Sequence, residues 1–429
     1  MSDASTGPLA PASLAGKPAD AALSLMAASH AQMRSFTWPI SASEFREVLR
    51  ALSIEYCKWD MHLGGVCRIL PESIVLSRKT HKYLRGIAEA FAALMRRFET
   101  HARRDAALIE WLGIDPRLAP LLAAESEHEL SFGRADFFLT PEGRWVLSEF
   151  NEDVPGGFNE AMGVAETVGV SRLGGCQTGD LRSSLVRAFA DCRRVGLVFA
   201  TAFSEDLQHC ALLEKWLSQA GFETVLASPE HLHYARRRAC LSSAPVDGIF
   251  RFYPGEWLVL LPNLADWARA LPQLRMMSPP VRLLSQSKKS FGAWQARGLL
   301  DGADRVLVER FCPRTEPFVA DQIAFYRQAR EHLVLKRVFG RMGDAVQMGA
   351  LSSPQEWESA ITYASSHSRE FTMQERFLVQ PLAFAAGTMY PTVGVYIVNG
   401  RFAGYYSRVA PEPFITHEAY YVATVVEAA

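Results

Sequence analysis

The sequence predicts an α/β protein of two or three lobes, and three observations carry that reading. The chain has 429 residues, 49% hydrophobic and 11% aromatic, which is enough for a large core and long for one ordinary domain. Between about 193 and 252, strand-like and helix-like segments alternate at the spacing of a parallel sheet. After about 285, short apolar runs and a hairpin signal replace that alternation.

Residues 1–35 are rich in Ala, Ser and Pro without periodicity and predict a flexible tail. From about 42 to 112 the pattern is helical, with Leu84, Ile87, Phe91, Leu94, Met95 and Phe98 forming one apolar stripe. Ser131–Leu139 and Arg144–Asn151 read as two strands joined by the turn-like Thr140-Pro-Glu-Gly143. Val195–Ala200, a helix over Glu205–Ala220, Glu223–Ala227 and Asp247–Phe252 make the α/β stretch. Further strands are expected at 333–338, 376–381, 392–398 and 402–409, with Asn399-Gly400 as a hairpin turn. These shifts divide the chain into a tail (1–35), a helical segment with the hairpin (36–185), an α/β region (186–284) and a mixed lobe (285–429).

Composition removes several functions. Lys and Arg number 45 against 46 Asp and Glu, so no basic excess invites nucleic acid. No apolar run nears the roughly 20 residues that span a bilayer, and the start, with Asp3 and several prolines, lacks a signal-peptide pattern. The seven cysteines are scattered without a CxxC pair, which argues against a disulfide framework or a Cys-based zinc site. His231-Leu-His233 reads as exposed residues beside a basic run. A reducing, cytoplasmic setting is the expectation.

The stretch richest in chemistry is Arg134-x-Asp136 followed by Glu149-x-Asn151-x-Asp153. Residues two apart in a strand share a face. With Glu142-Gly143 as a two-residue turn, Asp136 falls opposite Glu149 and Arg134 opposite Asn151. Facing carboxylates repel unless a cation lies between them. Two carboxylates and an amide oxygen suit Mg²⁺, and an adjacent arginine can hold a phosphoryl group. On the hairpin alone, a solvated polar face is the commoner alternative. The Gly-rich Val154-Pro-Gly-Gly-Phe158 follows directly and either lets a ligand approach the backbone or only turns the chain.

Farther on stand Ser287-Lys288-Lys289, then Lys336-x3-Gly340-Arg341-x-Gly343, which is not a Walker A loop, then Leu378-Val379-Gln380 and Gly404-x3-Arg408. Each is weak alone. In this order they resemble the synthetase domain of glutathionylspermidine synthase and its relatives, ATP-grasp ligases of circularly permuted type, over about residues 120–425. Val246–Glu256 is similar to the family's strand leading into an acidic turn. The resemblance implies an ATP-grasp fold of permuted type with an inserted Rossmann-like pre-ATP-grasp region and an N-terminal helical segment. It implies ATP and Mg²⁺ as cofactors, with Asp136, Glu149 and Asn151 as metal ligands. Arg134 and Arg408 would be catalytic, facing phosphate and reacting carboxylate. Lys288 (or Lys289) and Lys336 would be the ATP lysines, Gly340, Arg341 and Gly343 the phosphate-covering loop, and Leu378, Val379 and Gln380 the adenine hinge.

The implied activity joins an amino-acid or short-peptide carboxylate to an amine through an acyl phosphate, releasing ADP and phosphate. A kinase or a non-catalytic nucleotide-binding scaffold is the alternative. No amidase domain fits before residue 120, and relatives allow a homodimer. Lys336-Arg337-Val338 departs from the family's usual Lys-Lys-Pro or Lys-Pro, and the Gly-Gly-Phe loop from the hydroxyl residues of polyamine-coupling relatives, which argues against glutathione and spermidine as the substrates.

Overall fold

A computed structural model of the chain describes residues 32–126, 128–176, 179–296, 300–340 and 346–428. Most of the expected tail, and Arg341 and Gly343 of the expected phosphate loop, lie outside these. The architecture is mixed α/β, built on three larger sheets. The main sheet orders its strands Met33–Thr37, Ile69–Leu76, Tyr420–Val426, Arg401–Ala410, Gly387–Val398, Phe132–Leu139 and Trp145–Asn151. Within it only Tyr420–Val426 and Ile69–Leu76 run parallel. A second sheet is wholly parallel, in the order Glu129–Leu130, Arg275–Met277, Gly248–Phe252, Arg194–Phe199 and Glu223–Ala227. The third is antiparallel, with Leu333–Arg337 between Phe371–Glu375 and Val346–Met348.

The expected apolar stripe is real. The helix Arg78–Ala102 starts where the Ser77 side chain caps the Thr80 N–H, and Leu84, Ile87, Phe91, Leu94, Met95 and Phe98 are all buried. Phe91 meets the rings of Trp294 and Phe311, which joins this helix to the later lobe. Asn399 and Gly400 both take positive φ (49° and 75°), as the hairpin between Gly387–Val398 and Arg401–Ala410 requires.

Three expectations need correction. The segment 42–112 is not continuously helical: after Ala42–Glu55, the strand Ile69–Leu76 intervenes, its Ile74, Val75 and Leu76 buried in the main sheet. Met33–Thr37, partly inside the expected tail, pairs with that strand. Residues 376–381 form no strand; the ladder stops at Glu375, and the chain crosses to the main sheet, where the Gln380 N–H donates to the Leu139 carbonyl at 2.7 Å. Among the described residues, no helix is long and apolar enough to cross a membrane.

Phe91→Ala is expected to cost about 3–5 kcal/mol, because a buried aromatic leaves a cavity that its ring neighbours cannot fill. Urea unfolding read by circular dichroism checks this, and a loss under 1 kcal/mol would show that the helix does not clamp the lobe.

Candidate active site

The acidic hairpin reaches the expected register by an unexpected route. Its turn is longer than two residues: the Thr140 N–H donates to the Arg144 carbonyl, and Leu139 faces Trp145. A bulge between Asp136 and Phe137 then takes up Ser148 as an extra residue, so Asp136 faces Glu149 and Arg134 faces Asn151. The bulge has a use, since Ser148 Oγ accepts from Lys336 Nζ at 3.3 Å.

This hairpin lines a cavity of about 450 Å³ where the three sheets meet, and Arg134, Asp136, Glu149, Asn151, Lys288, Lys336 and Arg408 all contribute to its wall. At one end Lys288 Nζ bonds Glu149 Oε1 at 3.3 Å and the Gly340 carbonyl at 2.8 Å. Burial pushes the Glu149 carboxyl up, but Lys288 and Lys336 more than offset that and keep it below its ordinary value. Burial, partly opposed by Glu149, takes Lys336 down to about 8. Lys289 is turned away and donates to the Arg369 carbonyl at 2.7 Å, so Lys288 is the lysine of this pair that faces the cavity.

In the middle, Arg134 grips Asp136 through two parallel bonds of 2.7 and 2.9 Å, and both are buried. Gly394 makes room for the pair: a Cβ there would lie 2.7 Å from Arg134 Cδ and 2.9 Å from Asp136 Oδ1. Arg134 and Arg408 approach the Tyr406 ring at 4.9 and 5.9 Å. Arg408 Nε and Asn151 Oδ1 are buried with no hydrogen-bond partner among the described residues.

Those unpaired atoms bear on metal binding. Asn151 offers a free amide oxygen, Glu149 an ionised carboxylate, and Asp136 keeps a second lone pair on each oxygen after binding Arg134. Among the described residues, no three His, Cys, Asp or Glu side chains group to hold a metal by themselves. Two carboxylates and an amide are hard oxygen donors of the kind that Mg²⁺ takes.

The far end escaped the sequence reading. Lys58 is buried, 2.7 Å from Asp60 and 3.3 Å from Glu160, and Glu160 also accepts from the Tyr406 hydroxyl at 3.2 Å. Burial pulls the Lys58 ammonium down, but the two carboxylates outweigh it and leave its pKa above the usual lysine value. His209 lines the same end. No short-range signal links positions this far apart in the chain. Leu378, Val379 and Gln380 do not line the cavity; Gln374, Arg376 and Phe377, just before them, do.

The cavity thus carries lysines and carboxylates on its wall, with two arginines at its centre. The chain belongs to the glutathionylspermidine synthase pre-ATP-grasp family, whose model matches residues 72–427. Its fold is similar to that of a glutathione synthetase-like effector from Globodera pallida in its apo form. The two are 11% identical with a TM-score of 0.58, over 91% of this chain and 100% of that one. A weaker likeness, TM-score 0.43 at 13% identity over 76% of this chain and 83% of the other, is to a protein provisionally described as a gamma-glutamylcysteine synthetase from Methylobacillus flagellatus. No curated protein sequence matches the chain.

Arg134→Met is expected to destabilise the fold by about 3–5 kcal/mol, because it strands the Asp136 carboxylate in a buried place. Adding Asp136→Asn should recover part of that loss, and a double-mutant cycle by urea unfolding measures the coupling. Additive losses would mean that the pair is not a unit.

Proposed function

We propose that the protein is an ATP-dependent carboxylate–amine ligase that forms an amide through an acyl phosphate and releases ADP and phosphate. The observation that carries this reading is the convergence on one cavity of Lys288, Lys336, Glu149, Asn151, Arg134 and Arg408, in a chain of this family. The main sheet and the antiparallel lobe would be the two halves of a permuted ATP-grasp site, with the parallel sheet as the pre-ATP-grasp region.

Lys288 and Lys336 orient the nucleotide phosphates. Mg²⁺, held by Glu149, Asn151 and Asp136, would neutralise charge on those phosphates. Arg408, whose Nε has no protein partner among the described residues, supplies an N–H to the reacting carboxylate and to the oxyanion formed when the amine attacks. Arg134, already committed to Asp136, fixes the carboxylate's orientation and adds positive charge beside it. The carboxylate is an amino acid or short peptide and the second substrate an amine. The scattered spacing of the seven cysteines supports a cytoplasmic setting.

The decisive test mixes protein, Mg-ATP, pooled amino acids and short peptides, and pooled amines. ADP and phosphate should form only with both pools present, with an amide detected by mass; AMP and pyrophosphate would rule the reading out. Arg408→Met should lower kcat ~10²–10³-fold with little change in unfolding midpoint.

ATP affinity should also depend on pH. Lys336 is charged below about 8 and neutral above it, so binding above pH 8 must take up a proton. Calorimetry in buffers of different ionisation enthalpy should therefore show proton uptake above pH 8, and Lys336→Met should abolish it.

A further inference from the structure

We propose that His209 is a positioning residue: it holds the Gly156-Gly157 peptide, and through that peptide the guanidinium of Arg134, in place for the reaction. His209 comes from the helix Ser204–Gln219 beside the parallel sheet, so it would couple that sheet to the centre of the cavity.

The ring is buried, stacked on Phe252 at 4.7 Å and edge-on to Phe158 at 4.8 Å. Its Nδ1 lies 2.6 Å from the Glu205 carbonyl, and its Nε2 lies 2.8 Å from the Gly157 amide nitrogen. A carbonyl only accepts and an amide N–H only donates. The two contacts thus define a neutral imidazole with its proton on Nδ1 and a lone pair aimed at Gly157. On the other side of the same loop, the Gly156 carbonyl accepts from Arg134 Nη1 and from the Tyr396 hydroxyl, each at 2.8 Å. The loop has little freedom to satisfy these bonds otherwise. Gly157 sits at φ 95°, and a Cβ there would come within 2.4 Å of the Tyr406 ring.

Protonating Nε2 would set an N–H against the Gly157 N–H and release the loop. The surroundings oppose that charge. Burial acts most strongly, Lys58 and Arg134 repel it, and the Glu205 carbonyl and Asp60 favour it less than these disfavour it, which takes the pKa down to about 4. The unfolded chain protonates near 6.5, so this contact's contribution is complete above that pH and is lost as pH falls toward 4.

The catalytic half of the proposal rests on the ligase reading, whereas the tautomer and the loop contact do not. Long-range ¹H–¹⁵N spectra of ¹⁵N-histidine protein should show one imidazole with Nδ1 protonated, titrating well below 6. A normal titration, or the other tautomer, overturns the proposal. His209→Leu should abolish the slow exchange of the Gly157 amide, and His209→Gln, which keeps an acceptor, should restore it. With ligase substrates in hand, His209→Leu should lower kcat ~10–10²-fold with KM for ATP unchanged, as expected for a misplaced group, and His209→Gln should recover most of it. Equal losses in both variants, or a change in KM alone, would sink the positioning role. If no ligase activity is found, the ligase reading fails and the spectra still judge the contact; if His209→Leu does not fold, the wild-type spectra and His209→Gln decide.

Discussion

The arrangement of the cavity depends on one ion pair, Asp153 with Arg251, both entirely buried. Asp153 lies two residues beyond Asn151 and also accepts the Gly255 N–H at 2.9 Å, while Arg251 donates to the Ser278 and Tyr253 carbonyls. The pair thereby ties the end of the acidic hairpin to the C-terminal ends of parallel strands. Beside it, Gln286 Oε1 accepts from the Glu152 and Asp153 amides, two residues before Lys288, and Glu152 joins Arg96, Glu99 and Arg282 in a second buried network. Such charges are poor sources of net stability, since their desolvation consumes most of what their attraction supplies. Their effect is geometric, because each holds the end of the hairpin against another element. Both oxygens of Asp153, the last residue of the Glu149-x-Asn151-x-Asp153 pattern, are thus spent on the scaffold.

The cavity is graded in charge. Glu149 offsets the charge of two lysines, yet burial still leaves Lys336 with a proton affinity below the ordinary lysine value. At the other end Lys58, from before the family-matched residues, neutralises part of an acidic set. The two ends therefore differ in their charged groups, with Arg134 and Arg408 between them.

Local pattern revealed the parts of this structure that are locally determined. The stripe of Leu84 to Phe98, the Asn399-Gly400 turn and the strand–helix–strand run at 194–227 each follow from periodicity or turn chemistry. The facing of Asp136 and Glu149 was legible too, although the turn assumed was too short and a bulge restored the register. Ile69–Leu76 was not legible, because Pro71, Glu72 and Ser73 blur its alternation and only its two sheet partners make it a strand. Lys58, Glu160 and His209 went unread for a similar reason: a buried charge or a neutral histidine has meaning only beside partners brought from distant parts of the chain. The strand expected at 376–381 was misplaced because the ladder ends at Glu375, where the chain leaves the antiparallel sheet.

The parallel seam between Ile69–Leu76 and Tyr420–Val426 has a consequence for biogenesis. On the ribosome, the earlier strand emerges with Met33–Thr37 on one edge and nothing on the other. Its partner follows roughly 350 residues later, tens of seconds at ~5–20 residues per second. Through that interval one edge of the earlier strand awaits its partner. The sheet that carries Arg408 can thus close only after two segments roughly 350 residues apart have both been made.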